Sequence, residues 1–271
     1  MILNMNPAST TSEPTSEYWF IFQNDQLLIL LDGDTNQLLT LDAIDAIKHS
    51  LIRQYSLSST VFCAEMTATV ELPVNIEAIP LRAAFTVLGN NWFSTAVKAY
   101  SIITWDKNNQ YCGRCGQPTT LQLPFERICS TCHLHFYPRI SPSVIVRIQK
   151  GNEILMARSP HFSPGVYGLI AGFVEVGETL EETVKREVQE EVGIQIKNLT
   201  YFSSQPWPFP DSLMIAFTAD YASGDLTVNH AELEDAGWYT INNMPGYPTS
   251  SISVSAQLIE HFIRQQKKDT L

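Results

Sequence analysis

Three glutamates in the segment 177–194 have the spacing of a divalent-metal site. Glu187, Glu190 and Glu191 stand at i, i+3 and i+4, which puts them on one face of a helix. Two like charges four residues apart cost an isolated helix about 0.2–0.5 kcal/mol. Hard cations such as Mg²⁺ take several carboxylate oxygens, so the cluster predicts a metal that could bridge to a pyrophosphate and place an attacking water. A solvated acidic helix face is the alternative interpretation.

Four of the five cysteines form two close pairs with thirteen residues between them. The pairs are Cys112-x2-Cys115 and Cys129-x2-Cys132. This spacing is typical of a zinc ribbon, in which four thiolates fill the coordination shell, so the Zn²⁺ would be structural. Two disulfides or two redox pairs are the alternatives. The fifth cysteine, Cys63, is expected to be a buried apolar side chain.

Prolines alternate with Gln, Trp and Phe in the string SQPWPFPDS, shortly after the acidic helix. The prolines predict an extended loop of low entropy, whose aromatic rings either enclose a nucleotide ring or plug the core. The candidate substrate-binding residues of this string are Gln205, Pro206, Trp207, Pro208, Phe209, Pro210, Asp211 and Ser212.

The acidic helix belongs to a longer pattern, Gly-x5-Glu-x7-Arg-Glu-Val-x-Glu-Glu-x-Gly-Ile, which runs from Gly172 to Ile194 without a gap. This pattern is the Nudix box, and the sequence resembles the Nudix hydrolases, which cleave nucleoside diphosphates linked to another moiety. The resemblance implies an α/β (α+β) fold, with an α/β/α sandwich as the hydrolase domain. It also implies that Mg²⁺ or Mn²⁺ is bound by the glutamates of a loop–helix–loop.

The resemblance also implies roles for single residues. Glu187 and Glu191 correspond to the principal metal ligands, and Glu190 to a further ligand or to the base that activates water. Other implied features are an ion pair of Glu178 with Arg186, a metal-facing carbonyl of Ala171 and an extra acidic ligand, Glu232, with Glu234 and Asp235 as its neighbours.

Residues 204–212 match the SQPWPFPxS array of the NADH pyrophosphatase branch of the family, which also has a zinc ribbon before its Nudix domain. The resemblance covers residues 80–271 well and the first 80 residues only in architecture. It implies a homodimer that hydrolyses NADH and NAD⁺ to nicotinamide mononucleotide and AMP, and, as some members do, removes the NAD cap from RNA. Further implied substrate contacts are Phe173, Tyr137 from a partner subunit, Ser255 and Arg82.

Two other functions fit parts of the pattern. One is a broader pyrophosphatase that acts on ADP-ribose or other dinucleotides. The other is a nucleic-acid-binding zinc-ribbon module beside an inactive Nudix domain. The complete glutamate set argues against the second, as does the net charge of −11, which disfavours binding to nucleic acid or anionic membranes by charge alone.

The elements that must position these residues divide the 271-residue chain into four parts. We expect a flexible tail (1–17), a small α+β domain (18–106), the zinc ribbon (107–138) and the Nudix domain (139–271). Short apolar runs predict strands between 18 and 70 and at 144–148, and helices are predicted near 41–51, 92–105 and 253–266.

The start and end of the acidic helix are well marked. Thr179 and Glu182 form a capping-box pattern, and Gly193 supplies the stop. Pairs at i, i+4 join Glu181 to Lys185 and Glu182 to Arg186, which predicts that those acids are compensated while the metal-site acids are not.

No apolar run is long enough to span a bilayer, and the first residues contain no secretory pattern. The chain ends in KKDTL, which is not a peroxisomal address. The sequence therefore predicts a cytoplasmic protein without a membrane partner.

Overall fold

The computed structural model describes residues 17–32, 35–122, 125–249 and 253–269. The chain forms two compact units, which divide between Pro138 and Arg139. The predicted tail lies outside the described residues, apart from Glu17. Within the described ranges, no helix has the length and apolar character needed to cross a membrane.

The first unit is built on a seven-stranded sheet with the order β3-β2-β1-β6-β5, in which β4 pairs with β1 and β7 with β2. Its strands are β1 (Tyr18–Gln23), β2 (Gln26–Asp32), β3 (Thr35–Gln37), β4 (Leu39–Thr40), β5 (Leu51–Ser56), β6 (Val61–Met66) and β7 (Ile76–Pro80). The predicted strands YWFIF and LLILL lie in β1 and β2, which supply much of this unit's core. Cys63 in β6 is fully buried, as predicted.

The helix predicted near 41–51 is mostly wrong. The structure has a single turn, α1 (Leu41–Ile44), then a 3₁₀ turn at Lys48–Ser50, and Leu51 already begins β5. In β5 partly buried and exposed side chains alternate, and this period of two favours a strand that pairs with β6. The second predicted helix lies within α2 (Ala84–Asn108), which is kinked at Gly89.

Three short strands follow α2: β8 (Thr119–Gln122), β9 (Glu126–Cys129) and β10 (His135–Phe136). They form a separate antiparallel sheet with β9 in the centre. The predicted domain boundary at 106/107 falls inside α2, because that helix continues to Asn108.

The second unit contains one mixed sheet with the order β14-β15-β11-β12-β16, and β13 also pairs with β11. Its elements are β11 (Ser141–Lys150), β12 (Glu153–Arg158), β13 (Ile170–Phe173), α3 (Leu180–Val192), β14 (Gln195–Trp207), β15 (Ser212–Ser223), β16 (Asp235–Tyr239) and α4 (Val254–Asp269). Strands β11 and β15 run parallel, and the other pairs are antiparallel.

A helix packs on each face of this sheet. Val184 and Val188 of α3 share a core with Val144 and Val146 of β11. Ile145, between those two valines, faces the opposite way and shares a second core with α4. The second core contains the apolar face of the last helix, Val254, Leu258, Ile259 and Phe262. Alternation along β11 thus produces the layers of an α/β/α sandwich.

The predicted loop at 204–212 is wrong over more than half of its length. Ser204–Trp207 continue β14 and Ser212 begins β15, so only residues 208–211 form the connection. Pro206 is accommodated because β14 lies at the edge of the sheet, where a missing N–H breaks no inter-strand bond on the open side.

Candidate active site

Helix α3 begins and ends where the sequence predicts. The Thr179 hydroxyl accepts a hydrogen bond from the Glu182 N–H (3.3 Å), and Glu182 accepts one from the Thr179 N–H (2.8 Å), which completes the capping box. Gly193 ends the helix in the left-handed conformation, with φ of 72°. Val184, Val188 and Val192 are fully buried, so the packing of this stripe fixes which way the acidic face points.

The i, i+4 rule predicts an ion pair between Glu182 and Arg186, and this prediction is wrong. The carboxylate of Glu182 is instead part of the capping box. The Nε of Arg186 donates to Glu178 (2.6 Å), which gives the ion pair implied by the resemblance. This contact is the largest cause that lowers the pKa of Glu178 to about 2. The Nη1 atom of Arg186 donates to Glu187 and Glu190 (3.0 Å each), so two of the three acids on this face do have a cationic neighbour.

The carboxylates of Glu187, Glu191 and Glu232 converge, with their nearest oxygens within 4.8 Å of one another. Glu187 and Glu191 are buried, at 8% and 7% exposure. Burial, reinforced by the carboxylates of Glu187, Glu232 and Glu190, raises the pKa of Glu191 to about 8. Burial also raises the pKa of Glu187. Such a donor set, made up of carboxylate oxygens, fits a hard divalent cation.

Two other acids near Glu232 are engaged elsewhere. Glu234 forms an ion pair with Arg158. Asp235 accepts a hydrogen bond from the Tyr167 hydroxyl (2.6 Å). Glu190 is half exposed and lies outside the three-carboxylate cluster. Of the acids considered from the sequence beyond the box, the structure brings Glu232 to the cluster.

Gly172 in β13 forms the floor under Glu187. A Cβ atom built on Gly172 would overlap the Glu187 carboxylate. The absence of a side chain at this position therefore lets a strand and a buried acid approach closely. Ala171, the residue before it, pairs with Ile145 of β11 and packs towards α4.

The register of the sheet aligns two candidate substrate residues with each other. Phe173 of β13 is opposite Ser143 of β11, which is opposite Met214 of β15, which is opposite Gln205 of β14. Phe173 is half exposed, and its carbonyl accepts a hydrogen bond from Arg186 (2.9 Å). We call Glu187, Glu191 and Glu232 the acidic cluster, and Ser204–Trp207 of β14 the SQPW strand. The acidic cluster, Phe173 and the SQPW strand therefore lie at the same end of the sheet.

Within the string, Trp207 is half-buried and its ring contacts Phe209 edge to face, with centroids 5.3 Å apart. Pro208 is buried, and Ser212 is 7% exposed at the start of β15. Pro206 and Pro210 are exposed, and Asp211 lies 3.8 Å from Arg139. The string therefore combines packed side chains with accessible ones. Both the interpretation as a core-filling segment and the interpretation as a surface for a nucleotide ring fit part of it.

Gln205 has a contact that the sequence does not predict. Its side-chain oxygen accepts a hydrogen bond from the N–H of Val254 (2.9 Å), so it caps α4 across 49 residues of sequence. Ser255, next to Val254, has a buried hydroxyl without a hydrogen-bond partner among the described residues.

Two candidate substrate residues belong to the first unit. Tyr137 is 62% exposed, and its hydroxyl donates a hydrogen bond to Glu126 (2.5 Å). Arg82 is exposed in the turn before α2.

The four ribbon cysteines converge at the loops beside β8 and β9, and all are free thiols. Sγ–Sγ distances are 3.5 Å for Cys112–Cys132 and Cys115–Cys129, and 3.7 Å for Cys115–Cys132. A disulfide needs about 2.05 Å, whereas a zinc tetrahedron with Zn–S bonds of about 2.3 Å separates the sulfurs by about 3.8 Å. The N–H of Cys132 donates to Cys129 (3.4 Å) and is the largest cause that lowers the pKa of that thiol to about 6. The cluster fits zinc.

Sequence reasoning missed three residues that support the acidic cluster. Gly172 was recognised only as the start of a pattern, and Arg158 gave no signal. Asn229 does have a sequence signal, because Asn commonly starts a tight turn through its side-chain oxygen. Its N–H donates to the carbonyl of Glu191 (2.9 Å).

Comparisons with known proteins identify relatives of this chain. The NUDIX domain family matches residues 138–262. A Chromobacterium violaceum protein named NAD-capped RNA hydrolase NudC is 43% identical over 204 residues, which cover 75% of this chain and 76% of that protein. A Pseudomonas aeruginosa protein of the same name is 43% identical over 209 residues, covering 76% and 74%. A crystal structure of a NUDIX hydrolase from Nitrosomonas europaea aligns over 59% of this chain and 93% of that one, with a TM-score of 0.49 and 20% identity.

The two relatives match well beyond the acidic helix, over about three quarters of both partners in each comparison. The box from Gly172 to Ile194 lies inside the matched domain. This protein therefore belongs to the Nudix hydrolase family.

Proposed function

We propose that this protein hydrolyses the central pyrophosphate of NADH and NAD⁺ to AMP and nicotinamide mononucleotide, which is released in its reduced form when NADH is the substrate. We propose that it also removes the NAD cap from the 5′ end of RNA and leaves a 5′-monophosphate. The observation that carries the proposal is the convergence of buried glutamates, Phe173 and the SQPW strand at one end of one sheet. The two relatives named NAD-capped RNA hydrolase support the choice of substrate.

In this proposal Glu187, Glu191 and Glu232 hold the catalytic metal, Mg²⁺ or Mn²⁺, together with the carbonyl of Ala171. When bound, the metal offsets the negative charge of the pyrophosphate and activates water for attack. Burial of two of the carboxylates excludes bulk water, which strengthens their interaction with any cation. The attack forms one P–O bond and breaks the bond from that phosphorus to the bridging oxygen, so each product carries one phosphate.

Arg186 and Glu190 have different proposed tasks. Arg186 joins Glu178 before the helix to Glu187 and Glu190 on it, and so keeps the acidic face oriented. Of the three glutamates on this helix face, Glu187, Glu190 and Glu191, Glu190 is the accessible one. Its carboxylate oxygens can therefore accept a proton from the attacking water, or serve as a further ligand.

Substrate selection is assigned to the aromatic residues around the cluster. Phe173 exposes half of its ring for stacking on a base, and Trp207 and Phe209 form an edge-to-face pair in the adjacent hairpin. Pro206, Pro208, Pro210, Asp211 and Ser212 shape that hairpin. Gln205 and Ser255 contribute at the start of α4, and Arg82 stays a candidate from the first unit.

The proposal includes a homodimer in which Tyr137 of each chain acts on the partner's site. The 62% exposure of Tyr137 and 67% exposure of Ile140 support a covered surface in the assembly. It also includes one structural Zn²⁺ in the ribbon and a cytoplasmic location. Four clustered thiols that are not paired as disulfides, with Cys63 as a buried thiol, fit a reducing compartment.

A turnover assay across substrates and metals tests the proposed function. With Mn²⁺ or Mg²⁺, NAD-capped RNA should release nicotinamide mononucleotide and NADH should release its reduced form, and omission of divalent metal should stop the reaction. ADP-ribose serves as the comparison substrate. Faster turnover of ADP-ribose than of both NAD compounds would instead indicate a broader dinucleotide pyrophosphatase. RNA binding without hydrolysis in Mn²⁺ would indicate an inactive domain beside a binding module.

Gly172→Ala should lower kcat/KM for NADH by about 100-fold, because the new methyl group must displace the Glu187 carboxylate and small misplacements of catalytic groups are costly. Gly237→Ala in β16 is the matched control, since its nearest contact would be 3.1 Å, at Tyr239. Steady-state kinetics of the two variants provide the measurement. Equal activity of Gly172→Ala and the wild type would show that Glu187 is not needed in its present position.

A further inference from the structure

Asn229 organises the tight turn that presents Glu232. Its side-chain oxygen accepts a hydrogen bond from the N–H of Ala231 (3.2 Å), and its carbonyl accepts from the N–H groups of Glu232 (3.1 Å) and Leu233 (3.0 Å). Its side-chain Nδ2 then donates to Oε1 of Glu232 (3.2 Å). The same residue therefore shapes the turn and contacts the carboxylate that the turn presents.

The turn is also bonded directly to the end of α3. The N–H of Asn229 donates to the carbonyl of Glu191 (2.9 Å), and the N–H of Thr227 donates to the carbonyl of Val192 (3.0 Å). Carbonyls in the last turn of a helix lack partners within the helix, so these bonds satisfy them. Asn229 thereby joins the backbone of one acid in the cluster to the side chain of another.

The far end of the turn is fixed as well. Leu233 is buried in the core that α3 shares with the sheet. The N–H of Glu234 donates to the carbonyl of Arg158 (2.8 Å), and the two side chains form an ion pair. The backbone on both sides of Glu232 is therefore held.

The side chain of Glu232 is held less firmly than those of the other two acids. Glu187 and Glu191 are buried and fixed by packing, whereas Glu232 is exposed. Ordering an exposed glutamate side chain costs rotamer entropy, unless a contact has already restricted it. The Asn229 amide is a neutral donor on that carboxylate, so it restricts the side chain without the competing charge of a Lys or Arg.

We propose that Asn229 is a positioning residue that holds Glu232 ready to bind the divalent metal. The inference rests on the proposed function, because it assigns Glu232 to the metal. Asn229 itself keeps its donor on Glu232 and is not a ligand. Partners that orient metal ligands typically change metal affinity about 10- to 100-fold when removed.

The deciding variant is Asn229→Ser, which keeps a hydroxyl acceptor for the turn but is too short to donate to Glu232. Asn229→Thr is the second variant, because its hydroxyl also keeps an acceptor for the turn and is too short to donate to Glu232. Asn198→Asp is the matched control, since Asn198 donates to Asp220 (2.8 Å), which is not part of the cluster. Mn²⁺ binding to the zinc-loaded protein is followed by electron paramagnetic resonance without substrate, and melting temperature is measured in parallel.

Asn229→Ser should weaken Mn²⁺ binding about 10- to 100-fold, with a melting temperature close to that of the wild type and with hydrolysis restored at high Mn²⁺. The control should bind Mn²⁺ like the wild type. Wild-type affinity in Asn229→Ser would overturn the inference, and if that variant fails to fold, wild-type affinity in Asn229→Thr would do so. A wild-type protein that binds no Mn²⁺ would refute the proposed function itself, so the two failures are distinct.

Discussion

Glu191→Gln should lower kcat for NADH hydrolysis by at least about 10²- to 10³-fold, the range expected when one preorganised charge-stabilising group is lost. The substitution keeps the size of the side chain and removes its charge. Because Glu191 is buried and its carboxylate converges with those of Glu187 and Glu232, the substitution removes one of the negative charges of the proposed metal site. Initial rates at saturating Mn²⁺ measure the effect. Glu181→Gln, at an exposed position of the same helix, is the control.

The same variant should behave in the opposite way in a stability assay without added Mg²⁺ or Mn²⁺. The pKa of Glu191 is raised to about 8 in the folded protein, mainly by burial, against about 4.3 in an unfolded chain. The folded state therefore binds the proton more tightly. This tighter proton binding adds to the free energy of unfolding. The contribution is fully present below about pH 4 and is lost as the pH rises through about 8.

Glutamine does not titrate, so the melting temperature of Glu191→Gln should exceed that of the wild type by a margin that grows between pH 5 and pH 8. Added Mn²⁺ should stabilise the wild type and not the variant. A variant that is less stable than the wild type across this whole range would identify Glu191 as a packing residue.

The double variant Cys129→Ser/Cys132→Ser should lose its zinc and unfold the ribbon. Structural zinc sites bind with about 10–16 kcal/mol, which is comparable to the stability of a whole domain. Elemental analysis should find one zinc per wild-type chain and none in the variant, and limited proteolysis should then cut within 107–138. Cys63→Ala is the control, because Cys63 is buried in β6 outside the cluster. Full zinc content in the double variant would contradict the assignment.

The acidic helix could be predicted because its signals are local. The capping box, the valine stripe and the glycine stop all act within four residues along the chain, and the structure has each of them. The partner of Arg186 could not be predicted by the same rule. Glu182 has the spacing both for the capping box with Thr179 and for an i, i+4 pair with Arg186. The structure has the capping box, which satisfies a backbone N–H at the helix start, and Arg186 donates to Glu178 instead.

Residues that act over long distances in sequence were beyond local rules. Gln205 caps a helix that begins 49 residues later, and Gly172 matters because Glu187 packs against it. Both contacts depend on which strand lies beside which helix. Of the helix predicted near 41–51, only residues 41–44 are helical, and at its other end Leu51 pairs with Met66 of β6 and belongs to a strand.

The close approach of Gly172 and Glu187 also limits how descendants of this gene can diverge. Any larger residue at position 172 claims space that the carboxylate at position 187 already occupies. A homologue that keeps the glutamate at position 187 can thus have a larger residue at position 172 only if β13 and α3 are farther apart. The two sites should change together or not at all, however freely the neighbouring surface mutates.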